Sequence, residues 1–251
     1  MKIKRVKTLS VILLVGSMSV AHAGWQDILN SAVKTVTENK STTEAASSLL
    51  GESEVVAGLK EALANGVETA VNTLGKTDGF MGNSLVQIPL PDSLKLVEKT
   101  ARTLGQGQYA DDFIGTMNQA AEQAVPEAAE LLGEAIRTMS VEDATKILNG
   151  PDDAATQYFR KVSGEQLSQR FKPIVEKATN QAGVTSAYKG LTANAGSLLG
   201  GFVSQESLDV DKYVTDKALD GLFKYIAIEE KQIRENPLAR STDLLKKVFA
   251  N

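Results

Sequence analysis

The sequence predicts an all-α protein, a multi-helix bundle of about ten helices with one extended, proline-containing loop near residues 76–91. Three observations carry this. Apolar residues recur at spacings of three and four along most of the chain. Serine, aspartate and proline stand where helices would begin, and glycine where they would end. No run of alternating strand residues and no fixed-period repeat interrupts the pattern.

The elements follow in order. Trp25, Ile28, Leu29, Ala32, Val33 and Val36 mark one face of a first helix. Residues 39–48 are polar and rich in Ser and Thr, a linker. Ser53 is placed to cap a second helix through Leu74, with Val55, Leu59, Leu63, Ala70 and Val71 inward and Gly75 as its stop. Residues 76–91 contain Asp78-Gly79-Phe80 and Ile88-Pro89-Leu90-Pro91, and the prolines hold this stretch extended. Asp92 caps a helix that ends at Gly105. An alanine-rich helix starts at Asp111 or Asp112, and Pro126 opens the next at its first turn. Ser140 with Asp143 reads as a capping box for a short helix ending at Asn149-Gly150. Pro151 opens another helix, and Ser163 with Gln166 marks a further start, with Pro173 expected to kink or divide that segment. Residues 184–202 form a softer helix rich in Gly, Ala and Ser. Residues 218–228, ALDGLFKYIAI, are apolar on nearly every side, which predicts a central helix. Asn236-Pro237 stops it, and Leu244, Leu245, Val248 and Phe249 form an amphipathic tail.

The chain opens on a leader. Lys2, Lys4, Arg5 and Lys7 form a positive segment, residues 8–20 carry no charge, and Ala21-His22-Ala23 supplies a small-x-small cleavage site. As a helix the uncharged run spans only about 20 Å, against about 30 Å of hydrocarbon. The expectation is a signal peptide over 1–23, cut between Ala23 and Gly24, with export to the periplasm of a Gram-negative bacterium. An N-terminal helix and linker then occupy 24–50, and the main helical domain 51–251. No transmembrane segment is expected once the leader is removed.

Composition narrows the chemistry. The leader takes four of the 27 Lys and Arg and none of the 31 Asp and Glu, so the mature chain carries a net charge of −8. An acidic chain without a basic run is a poor partner for nucleic acid. The only histidine, His22, lies in the leader, and there is no cysteine. That removes His- and Cys-based nucleophile systems, ordinary zinc, copper and iron–sulfur sites, and disulfides. No cofactor is expected. Carboxylate-only chemistry, a Ser/Lys pair or an oxygen-bound hard cation remains.

Several polar groups stand out. Glu229, Glu230, Arg234, Glu235 and Arg240 lie beside the apolar helix. Glu230 and Arg234 are at i,i+4 in the favourable order, and inside a core such a pair must be mutual. The structural reading is an ion pair locking the elbow at Asn236-Pro237. The catalytic reading is a carboxylate acid/base pair, but adjacent Glu229 and Glu230 diverge by about 100° on a helix, which suits one glycosidic bond poorly. Asp152 and Asp153 read as first-turn acids that match a helix dipole, a cation site being the weaker reading. Asn118 and Glu122, at i,i+4 among alanines, fit a buried hydrogen-bond network or, more simply, a solvent face. Arg160, after Tyr158 and Phe159, reads as a solvated arginine over an aromatic core, with a stacked cation as the alternative.

Blocks such as IPLPDSL (88–94), MNQAAEQAVPEA (117–128), ILNGPDDAATQYFR (147–160) and ALDGLFKYIAIEEKQIRENPLARSTDLLKKVF (218–249) resemble the DUF4197 family of exported bacterial proteins of unknown function. The resemblance covers nearly the whole mature chain. It implies a helical exported protein and brings no catalytic residues. The functional expectation is a non-enzymatic binding or structural module of the cell envelope, with an unidentified envelope protein or ligand as partner. The alternatives are a carboxylate-dependent hydrolase of envelope glycans, which needs two facing carboxylates, and a carrier for an apolar ligand, which needs a cavity.

Overall fold

The computed structural model describes residues 45–181 and 209–235. Among them every regular element is helical: α1 (Ala45–Leu74), a 3-10 turn (Asp92–Leu94), α2 (Lys95–Thr103), α3 (Gln108–Ala124), a second 3-10 turn (Val125–Glu127), α4 (Ala128–Thr138), α5 (Val141–Leu148), α6 (Ala154–Gln181) and α7 (Val210–Glu235). The helices expected at 25–36, 184–202 and 237–249 lie outside the described residues.

The all-α expectation holds among the described residues, where the two helices expected on either side of Ser163 form one. α1 begins at Ala45, not at a Ser53 cap. The break expected at Ser163 is absent, and 28 residues run as one helix. The reason lies in the buried stripe of α6. Ala155, Phe159, Ser163, Leu167, Phe171 and Val175 are buried at a spacing of four, with Ala178 three further on, and the stripe passes through Ser163 without a shift. That burial overrides a local capping signal. Pro173 sits inside the helix on its exposed side, as does Gln169, whose carbonyl loses its donor to the ring. α7 likewise starts at Val210, eight residues before the apolar run.

Asp92 caps no helix, since a 3-10 turn starts there and α2 opens at Lys95, and α3 starts at Gln108, ahead of Asp111. Two other boundaries follow the sequence. α2 ends in a glycine cap: Gly105 takes φ +74°, its N–H reaches Arg102 O at 3.1 Å, and Gln106 N–H reaches Ala101 O at 2.8 Å. α5 opens on the expected capping box, with Asp143 N–H donating to Ser140 Oγ at 3.1 Å and Ser140 N–H to Asp143 Oδ2 at 3.3 Å.

One hydrophobic cluster runs through every described helix. α7 is central, packing against α1, α3 and α6. Its Val214, Ala218, Leu222, Phe223 and Ile226 are all buried. Burying each such large side chain contributes about 1.5–3 kcal/mol. The 76–91 segment is a loop, as expected, and it packs Phe80, Val86, Ile88 and Leu90 into the same core. None of the described helices is long and apolar enough to cross a membrane.

Candidate functional site

α7 places Glu230 and Arg234 one turn apart on its inward face, and both are buried, the side chains being 4 % and 13 % exposed. Their partners are backbone groups of two other helices. Glu230 Oε1 accepts from Ala155 N–H at 2.9 Å, and Oε2 accepts from Thr156 N–H and from Thr156 Oγ1, both at 2.9 Å. These N–H groups belong to the first turn of α6, which has no intrahelical acceptor for them. Arg234 Nη2 donates to Glu230 Oε1 at 2.9 Å and to Ile147 O, in the last turn of α5, at 2.8 Å. A single ion pair therefore completes the end of α5 and the start of α6. It holds the reversal between them, at 149–153.

This arrangement bears on two expectations. Asp152 and Asp153 directly precede α6, at the helix end where the dipole favours acids, and Glu230 adds a further negative charge there from α7. Asp152 is exposed, and the Asp153 carboxylate accepts from Gln157 Nε2 at 2.9 Å. The Glu230–Arg234 pair is internal, as expected, and among the described residues it ties the α5–α6 junction. The Asn236-Pro237 elbow and Arg240 lie outside the described residues, as do Ala23 and Gly24.

Glu229 turns the other way, toward α1. It is half-buried, a Cβ built on Gly66 would stand 3.7 Å from its Cβ, and burial pushes its carboxyl above the usual range. The two glutamates thus diverge, as the helix geometry requires. Lys60 of α1 shows the same pattern as Arg234. It is half-buried, with its ammonium pKa lowered by burial, and its Nζ donates to Arg137 O at the end of α4 at 3.1 Å.

The second polar group corrects a further expectation. Asn118 and Glu122 are not a solvent face: Asn118 is fully buried and Glu122 nearly so. Asn118 Oδ1 accepts from Ile88 N–H at 2.8 Å, and its Nδ2 donates to Ile88 O at 2.9 Å and to Ile114 O at 2.8 Å. The amide gives the extended loop the two bonds that a neighbouring strand would give. Glu122 Oε1 accepts from Phe80 N–H at 3.0 Å and Met81 N–H at 3.3 Å. From α7, Tyr213 Oη donates to Pro89 O at 2.9 Å and Lys224 Nζ to Leu85 O at 2.7 Å. Phe80 itself presses on Gly221, where an added Cβ would come within 2.7 Å of its ring. α3 and α7 together clamp the loop along its length.

Sequence reasoning missed Tyr213, Lys224 and Gly221 in this role. The only signal was Gly221, a glycine in the middle of an otherwise apolar helix. Arg160 is exposed and ion-paired with Asp220 at 3.1 Å, and its guanidinium also lies 4.6 Å from the Phe223 ring centre, so that features of both the solvated and the stacked reading are present.

Chemically, Glu230 is saturated by backbone and guanidinium donors, and Glu122 is engaged with the loop. A cavity bordered by Leu59, Ala62, Leu63, Glu230, Ile233 and Arg234 encloses about 10 Å³, room for one water at most. Among the described residues no three acidic side chains gather closely enough to hold a metal ion.

The fold and the clamp define a helical bundle whose buried polar groups serve backbone ends and one pinned loop. The chain matches the model of the family described as Protein of unknown function (DUF4197) over residues 49–250, and it belongs to that family. No curated protein and no solved structure matches it.

Proposed function

We propose that this protein is an exported, non-enzymatic binding module of the cell envelope, and that the 76–91 loop is its contact surface for a partner protein. One observation carries the reading. Leu85 and Met81 stay 52 % and 37 % exposed on a segment whose backbone is fixed by Glu122, Asn118, Tyr213 and Lys224. Ordering a loop costs about 1–2 kcal/mol per residue in backbone entropy alone. A loop ordered in advance, with apolar side chains outward, spares a partner that cost on binding. The leader supports export. The non-enzymatic part is supported by a mature chain without imidazole or thiol and by buried carboxylates already committed to backbone donors.

A photo-crosslinking residue at Leu85, expressed in the native envelope, tests this. The reading predicts a discrete adduct from position 85 and none from Val162, an exposed apolar residue on α6. No adduct at 85, or the same adducts from both positions, would contradict it.

A further inference from the structure

Sulfur is scarce in this chain, and among the described residues only one methionine is exposed. After residue 23 there are three methionines and no cysteine. Met117 is fully buried in α3 and Met139 is 4 % exposed, whereas Met81 on the pinned loop is 37 % exposed. The Met81 sulfur also has a polar neighbour, because Gln87 Nε2 donates to its Sδ at 3.3 Å. A thioether is a weak acceptor and a sulfoxide oxygen a strong one. An amide donor already directed at a surface sulfur is therefore suited to the oxidised side chain as well as the reduced one.

We propose that Met81 is the site at which this protein takes up oxygen from two-electron oxidants of the hydroperoxide class, and that Gln87 receives the resulting sulfoxide. In the reaction a sulfur lone pair attacks one peroxide oxygen. The S–O bond forms as the O–O bond breaks, and sulfur is oxidised by two electrons. The transferred oxygen gives up its proton to the departing hydroxide or alkoxide, leaving a neutral sulfoxide and releasing water or alcohol. The backbone at Met81 stays bound to Glu122, so the change is confined to the exposed end of the side chain. The product is the reversible step of the methionine ladder, which cells repair enzymatically. Burial shields Met117 and Met139, whose sulfoxides would place an unpaired polar oxygen in the core. The inference stands on exposure and on the Gln87 contact, and it holds whether or not the loop is a docking surface.

The test is graded hydrogen peroxide on the folded full chain, followed by peptide mass mapping. The expected result is one added oxygen on Met81, about tenfold or more ahead of Met117 and Met139, with the difference abolished in urea. Folded Met81→Leu should take up no oxygen over the same interval. The singly oxidised protein should keep the melting midpoint of the reduced one. Equal oxidation of the three methionines in the folded chain, a protected Met81, or unfolding on oxidation of Met81 alone would overturn the proposal.

Discussion

Glu229 and Glu230 are neighbours in the chain and opposites in their surroundings. Glu230 is buried among donors, and breaking such a pair by removing one partner costs about 3–5 kcal/mol. Glu229 is half-buried, with its pKa raised by desolvation alone. A raised carboxyl means that the folded state holds its proton to higher pH than the unfolded chain does. Stability is therefore highest at acid pH with respect to this group, and it falls as pH rises from the ordinary Glu value of about 4.3 toward the raised one. Glu229→Gln removes that loss. Urea unfolding should show the variant more stable than wild type by under about 1 kcal/mol at pH 7, with the difference vanishing below about pH 4. A gain that persists at acid pH would mean that charge is not the cause.

At the scale of elements, the loop and α7 depend on each other through Gly221. Gly221→Ala sets a methyl group against the Phe80 ring, and overpacking of this kind costs about 1–3 kcal/mol. Hydrogen exchange should show the 80–88 amides losing protection while α4 keeps its own. Uniform loss, or none, would mean that the loop is not seated on this glycine. The apolar stripes, the extended loop, the Ser140–Asp143 box and the Gly105 stop were legible in the sequence because each is decided within a few residues. The unbroken α6 was legible too, in a stripe from Ala155 to Ala178 that never changes phase, but the local signals at Ser163 and Pro173 concealed it. The partners of the buried polar groups were not legible. Glu230 meets N–H groups 75 and 74 residues away, and Asn118 meets one 30 residues away. Periodicity shows that such a side chain faces inward; it carries no information about which helix end or loop it will meet.

At the scale of the whole molecule, three reversals of the chain are tied by side chains from distant helices: α4's end by Lys60, the α5–α6 junction by Glu230 and Arg234, and the loop by Asn118 and Glu122. Conspicuous polar residues thus serve to fix topology in a bundle that the Cys-free sequence cannot staple with disulfides. Export belongs to this scale as well. Intact mass of the protein purified from the envelope should correspond to a chain starting at Gly24, and a product retaining Met1 or His22 would contradict the leader reading. The central claim, that the buried ion pair is architecture and not chemistry, is tested most directly by equilibrium unfolding of Glu230→Ala, Arg234→Ala and the double variant. The account predicts about 3–5 kcal/mol lost by Glu230→Ala, and a double variant losing clearly less than the sum of the two singles. A Glu230→Ala variant within about 0.5 kcal/mol of wild type would contradict it.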